Sequence, residues 1–120
     1  MALFAACAIS PASAADNSKG DAVKGKSLFN RCAMCHSNAK GAPNRIGPNL
    51  FGVVGRKSAS MAGFSYSGAM KKSGIVWSAD KLQTFVTRPA ALVPGTKMSF
   101  PGVANQGQVS DIVAYLTTLK

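Results

Sequence analysis

The run Cys32-Ala33-Met34-Cys35-His36 constrains this chain more than any other stretch of it. Two thiols three positions apart, followed at once by an imidazole, form the CxxCH pattern through which a c-type haem is attached. Each thiol can add across one vinyl group of the macrocycle, and the histidine then presents a ring nitrogen to the iron from one side. Three other readings compete. A thioredoxin-like redox pair requires a βαβ context that the sequence lacks. A zinc site requires a fourth ligand, for which only Cys7 remains, in a segment expected to be removed. Two structural cysteines beside an ordinary histidine are the blandest alternative, and none of the three fits the five residues as well as covalent haem c.

At 120 residues the chain has room for one domain, small enough that burial is marginal without help, and a buried haem supplies that help. Residues 1–14 read as a signal peptide, an apolar stretch that ends in Ala12-Ser13-Ala14, a small-residue cleavage pattern. No Lys or Arg precedes the apolar run, so these residues cover the apolar part and cleavage site of a leader whose basic start is absent. Residues 15–20 are then a flexible N-terminus and 21–120 the haem domain. No later run approaches the ~20 apolar residues of a membrane span, so stable membrane insertion is not expected and the reading is an exported, periplasmic protein.

All 14 Lys and Arg lie beyond the leader and face only four acidic residues, giving a formal charge of +10. Such a surface suits an acidic partner or a polyanion. The cations are scattered from Lys19 to Lys120 without a basic block or interleaved aromatics, which argues against nucleic acid. With a haem present, the expected use of the charge is docking onto acidic redox partners rather than solubility alone.

Periodicity predicts an all-α chain. Asp21 can cap a helix running to about Arg31, with Ala22, Gly25, Leu28, Phe29 and Cys32 at three- and four-residue steps. Gly, Pro, Asn and Ser dominate from Ser37 to Gly63, which reads as loop, including the Gly47-Pro48-Asn49-Leu50 turn. A short helix is expected near Gly68 to Lys72, stopping at Ser73-Gly74. Another begins after Ser78, buries Leu82, Phe85 and Val86, and ends at Arg88-Pro89. The last runs from about Gln106 to Leu119, with Val109, Ile112, Val113, Leu116 and Leu119 on one stripe and Tyr115 at its edge. Loops this long around so few helices are explained if they pack on a flat apolar macrocycle.

His36 is the only histidine, so two histidines of one chain cannot both bind the iron. A thioether is the favoured sixth ligand, because a neutral soft donor favours Fe(II) and raises the potential. Met1 leaves with the leader and Met34 lies inside the attachment loop; Met61, Met70 and Met98 remain. Met98 follows Pro94-Gly95-Thr96-Lys97, a turn that could press its side chain inward. Spacing alone leaves ligand and space-filling core residue as open alternatives for it.

The chain resembles the single-haem, His/Met-ligated cytochromes c of bacteria and mitochondria. The likeness runs from about Gly20 to Leu119 through Gly25-x-x-x-Phe29, Cys32 to His36, Gly47-Pro48-Asn49-Leu50, Gly55-Arg56-Lys57, Gly63-Phe64-Ser65-Tyr66, Trp77, Pro94 to Met98 and Asp111 to Leu116. It implies the cytochrome c fold, helices packed around one covalent haem. The first and last helices should cross at right angles, Gly25 and Phe29 against Tyr115 and Leu116. The resemblance makes Met98 the sixth ligand, gives Pro48 a carbonyl hydrogen bond to His36, and places Arg56, Tyr66 and Trp77 at the propionates with Thr96 nearby.

With iron sites filled, the implied activity is outer-sphere transfer of one electron, not catalysis. A haem peroxidase or gas sensor would need Met98 off the iron, and no distal histidine exists to assist it. The implied partners are a cytochrome bc-type complex, a terminal oxidase, a reaction centre or a periplasmic dehydrogenase, met by a monomer. Lys26, Arg31, Arg88 and Lys97 are the expected docking cations, on a face made less basic by Ala90 and Ala91, where relatives carry lysines. Two departures stand out: Phe85 where most relatives have tyrosine, and Met70 where many have asparagine. Both delete polar groups and imply a drier methionine side of the haem. Replacing Phe85→Tyr should therefore shift the reduction potential, read by redox titration against the parent chain; identical potentials would rule the drier side out.

Overall fold

Asp21 starts the first helix as its position predicts. Its carboxylate accepts from the backbone N–H groups of Val23 at 2.8 Å and Lys24 at 3.2 Å, two of the donors that a helix start leaves unpaired. The computed structural model describes residues 20–120; the expected leader and residues 15–19 lie outside the described residues. Among the described residues the chain forms α1 (Ala22–Leu28), α2 (Asn30–Ala33), α3 (Gly68–Ser73), α4 (Ala79–Thr87), α5 (Pro89–Leu92) and α6 (Gln106–Thr117). One isolated antiparallel bridge, Lys57 with Val76, is the β pairing seen there. The expected all-α class is the observed one.

The single helix expected up to Arg31 is divided. At Phe29 the backbone stays helical, but the Cys32 N–H reaches the Phe29 carbonyl at 2.7 Å, three residues back, beside the Ala33 N–H at 2.9 Å. The ladder tightens where the Phe29 ring is pulled under α6, its centre 5.2 Å from that of Tyr115. A second difference follows Arg88. The expected stop is real, since Arg88 is extended at φ −153°, yet Pro89 then opens the one-turn helix α5. Proline suits the first helical position because the N–H it lacks would have had no partner there.

Ser67 and Ser78 cap α3 and α4 by accepting from Met70 N–H at 3.1 Å and Lys81 N–H at 3.2 Å. Asn105 does the same for α6 through Gln108 N–H at 3.0 Å; the sequence reading assigned the caps at Asp21 and Ser78 but not those at Ser67 and Asn105. The predicted faces are the buried ones: Leu82, Phe85 and Val86 on α4, and Val109, Ile112, Val113 and Leu116 on α6. The last helix ends at Thr117 rather than Leu119, because the Thr118 hydroxyl turns back to the Tyr115 carbonyl at 2.6 Å, while Leu119 stays buried.

The contact that sets the frame is α1 against α6. A methyl group on Gly25 would lie 2.9 Å from Tyr115 Cβ and closer still to the Asp111 carbonyl, so no side chain fits between the backbones. Asp111 also accepts from the Asp21 N–H at 2.7 Å, fixing the start of α1 to the same turn of α6. In the loop region, the Trp77 N–H donates to the Arg56 carbonyl at 2.9 Å and the Gly55 N–H to the Trp77 carbonyl at 2.7 Å, which ties the 55–58 segment to the entrance of α4. Gly25→Ala should lower stability by about 3 kcal/mol or more, because the obstacle is rigid backbone. A denaturation midpoint within error of the parent's would contradict this packing.

Candidate functional site

The helices and loops close around an apolar cavity of about 390 Å³. That size lies within the ~300–1,000 Å³ typical of small-molecule and cofactor sites. Cys32, Cys35 and His36 form one wall; Arg56, Tyr66 and Trp77 another; Thr96 and Met98 belong to a third, and Ile112 and Leu116 of α6 also line the space. Every residue expected to touch the cofactor therefore borders one cavity, Pro48 included.

The tightening at Phe29 delivers the thiols. Cys35 N–H and His36 N–H both turn back to the Cys32 carbonyl, at 3.0 and 2.9 Å, which wraps the five-residue run into a compact loop at the cavity wall. Both cysteines are free and half-buried. Burial raises the pKa of Cys32; Arg31 opposes the shift and Cys35 adds to it, so the group is held as a thiol.

His36 is oriented by two neighbours. Its Nδ1 lies 2.7 Å from the Pro48 carbonyl oxygen, an acceptor only, so that nitrogen carries the proton and Nε2 keeps its lone pair. Burial lowers the pKa of the ring; the Pro48 hydrogen bond raises it, and the Arg56 and Arg45 charges lower it further, with a net shift toward neutral imidazole, the ligating form. Gly47 supplies the second restraint: a Cβ there would sit 2.6 Å from Nδ1 and 2.7 Å from Nε2. The glycine is required by the close approach of the ring.

Arg56, Tyr66 and Trp77 bring donors to the cavity lining. Arg56 is half-buried and gives Nη1 to the carbonyls of Asn49 at 3.0 Å and Phe51 at 3.3 Å. Burial lowers its pKa, Tyr66 opposes, and no carboxylate is among the charges acting on it. Tyr66 Oη accepts from the Met61 N–H at 3.2 Å, leaving its own proton free to donate. The Trp77 ring packs on Phe85 with centres 4.9 Å apart. A half-buried guanidinium without a counter-charge, next to a free hydroxyl proton and an indole, suits the acidic groups of a ligand. Free thiols, an oriented neutral imidazole, an apolar slot and these donors fit a c-type haem.

Of the methionines left open by spacing, Met70 and Met98 line the cavity and Met61 does not. Ser73 Oγ lies 3.9 Å from the Met70 sulfur, and the Met98 N–H donates to Thr96 Oγ1 at 3.3 Å. The expected docking cations divide. Arg31 and Lys97 border the cavity, whereas Lys26 and Arg88 do not, and Arg88 lines a separate shallow groove beside Gln83, Thr87 and Gln106. Lys97 is not a free charge either: its ammonium donates to the Ser65 carbonyl and sits 4.6 Å over the Phe64 ring.

Sequence reasoning missed three supporting features. Arg45 donates to the carbonyls of Ala33 and, at 3.3 Å, Met34, holding the end of α2. Asn49, 4 % exposed, donates to the carbonyls of Ala39 at 2.8 Å and Ala42 at 3.0 Å and accepts from Phe51 N–H at 3.0 Å, bracing the turn that carries Pro48. Met34 and Ile46 stand out at the cavity mouth, 72 % and 76 % exposed. Only the Gly47-Pro48-Asn49-Leu50 block hinted at any of these.

This architecture and site define a covalent haem-binding electron-transfer protein. A profile of the Cytochrome c family matches residues 22–120, and the chain belongs to that family. Cytochrome c2 of Rhodopila globiformis is 50% identical over 102 residues, covering 84% of this chain and 95% of that one. Cytochrome c of Euglena viridis is 47% identical, covering 84% and 99% respectively. Among solved structures, cytochrome cH from Methylobacterium extorquens superposes with a TM-score of 0.78 at 43% identity, over 82% of this chain and 99% of that one. The protein is thus an electron carrier with covalently attached haem c, not an enzyme.

Gly47→Ala should push the His36 ring off its Pro48 hydrogen bond and cost about 1–3 kcal/mol. Gly68→Ala, where the added methyl meets nothing within 4 Å, should change stability by less than about 0.5 kcal/mol. Equal denaturation midpoints for the two variants would contradict the close packing at His36.

Proposed function

We propose that Cys32 and Cys35 hold the haem through thioether bonds and that His36 Nε2 and Met98 Sδ are its axial ligands. The observation that carries this reading is the meeting of both thiols, the oriented imidazole and the Met98 side chain on one cavity. The bound haem supplies one-electron chemistry, its iron alternating between Fe(II) and Fe(III). Pro48 fixes the imidazole and strengthens its donation to the metal. Arg56, Tyr66 and Trp77 would donate to the propionates, with the Arg56 guanidinium supplying the opposing charge. Phe85 and Met70 keep polar groups and water from the methionine side, and Thr96 steadies the turn before Met98.

The carrier works between redox complexes in the periplasm: a cytochrome bc-type complex, a terminal oxidase, a reaction centre or a dehydrogenase. Support for that compartment comes from the apolar residues 1–14 with their Ala12-Ser13-Ala14 site. No helix among the described residues is long and apolar enough to cross a membrane. The charge of +10 favours fast, weak association with acidic faces. Arg31 borders the cavity and is exposed. Lys97 adds positive potential there while tied to Phe64 and Ser65, and Lys26 and Arg88 contribute at longer range.

The oxidised holoprotein should display the weak near-infrared sulfur-to-iron band, and the reduced form should not bind carbon monoxide. Met98→Ala should abolish the band and admit carbon monoxide, whereas Met70→Leu should retain the band. Loss of the band in Met70→Leu, with its persistence in Met98→Ala, would transfer the ligand role to Met70.

A further inference from the structure

Met34 stands at the centre of the haem-attachment loop, yet nothing in the attachment chemistry requires a thioether there. The backbone around it is held firmly. Cys32 carbonyl accepts from Cys35 and His36 N–H, while Arg45 grips the carbonyls of Ala33 and Met34. The side chain is 72 % exposed and borders the cavity, as does that of Ile46 at 76 %, the chain neighbour of the Arg45 that holds the Met34 carbonyl. Among the described residues, the other large exposed apolar side chains, Val23 and Val76, do not border the cavity. The mouth thus presents a small apolar spot flanked by the exposed guanidinium-bearing residues Arg31 and Arg45. Its complement is an apolar contact surrounded by carboxylates.

Thioether oxidation follows exposure, and the other described methionines are sheltered. Met61, Met70 and Met98 are all half-buried, and Met70 and Met98 pack against the core. We propose that the Met34 thioether is the position at which a hydroperoxide first modifies this protein, and that the sulfoxide formed there weakens docking of an acidic redox partner at the cavity mouth. A sulfur lone pair attacks one oxygen of the peroxide. The S–O bond forms as the O–O bond breaks, the sulfur loses two electrons, and the proton of the attacked oxygen passes to the departing oxygen, which leaves as water or an alcohol. The product is a strongly polar group where an apolar contact would be desolvated. The docking half of this inference rests on the electron-carrier reading above.

The test treats the holoprotein with limiting hydrogen peroxide and locates the added oxygen by peptide mass spectrometry. Binding is then followed by quartz-crystal microbalance on a gold-supported monolayer of mixed carboxylate- and methyl-terminated thiols, and electron transfer by voltammetry on the same surface. The first oxygen should appear on Met34, and affinity for the mixed monolayer should fall about fivefold or more. Methionine sulfoxide reductases should restore it, and Met34→Leu should show no peroxide-dependent fall from its own starting affinity. First oxidation at Met61, Met70 or Met98 would overturn the proposal, as would a Met34 sulfoxide that binds the monolayer unchanged. Absence of a reversible one-electron wave from the untreated protein would overturn the carrier reading instead, with the mass map and the microbalance still deciding for or against Met34.

Discussion

Gly25 passes so close to the Asp111 carbonyl and Tyr115 Cβ that two helix backbones touch without an intervening side chain. From this contact the rest of the arrangement follows. It sets the depth at which Phe29 meets Tyr115, and Phe29 is where the helical ladder tightens and turns the cysteines toward the centre. Asp21 and Asp111 lock the same junction from the polar side, so the helix start and the helix crossing are one structural unit. A frame pinned this tightly at one corner can afford long irregular loops elsewhere.

Those loops do not fill the centre; they line it. The cavity of about 390 Å³ has apolar walls from α4, α6 and the segments around Pro48 and Met98. A tightly bound macrocycle supplies dispersion contacts to the apolar lining atoms and stabilises the native state by binding it. Stability and cofactor binding are therefore linked. Residues that would be core in another small domain, Phe29, Phe85 and Ile112 among them, here line the cavity. Asn49 illustrates how the irregular segment is held without regular structure: a single buried amide satisfies carbonyls of Ala39 and Ala42 and the N–H of Phe51.

Charge acts at two ranges in this protein. The formal charge of +10 sets a long-range field that steers encounters. Beside the cavity two of the cations are structurally occupied, Arg45 on the end of α2 and Lys97 over Phe64, whereas Arg31 is exposed. The exposed surface there also includes the apolar side chains of Met34 and Ile46, so charge and apolar surface come from different residues.

CxxCH, a lone histidine, the helix periodicities and the capping residues Asp21 and Ser78 are local or compositional signals, and each was readable from the chain. So was the group of residues around the cofactor, because family likeness ties them to short motifs. Local signals stop at contacts between distant segments. Nothing near Gly47 in sequence announces that an imidazole from residue 36 will lie against it, and nothing near Lys97 announces the Phe64 ring. The break at Phe29 and the fresh turn at Pro89 likewise arise from burial against α6 and from an extended Arg88, which propensity does not encode. The sequence by itself determined the cofactor, the helical class and which faces are apolar, since these depend on residue type and spacing. Only the tertiary structure decided which cations remain free, which methionines reach the cavity and which lies open to solvent, because accessibility is a property of everything packed around a residue.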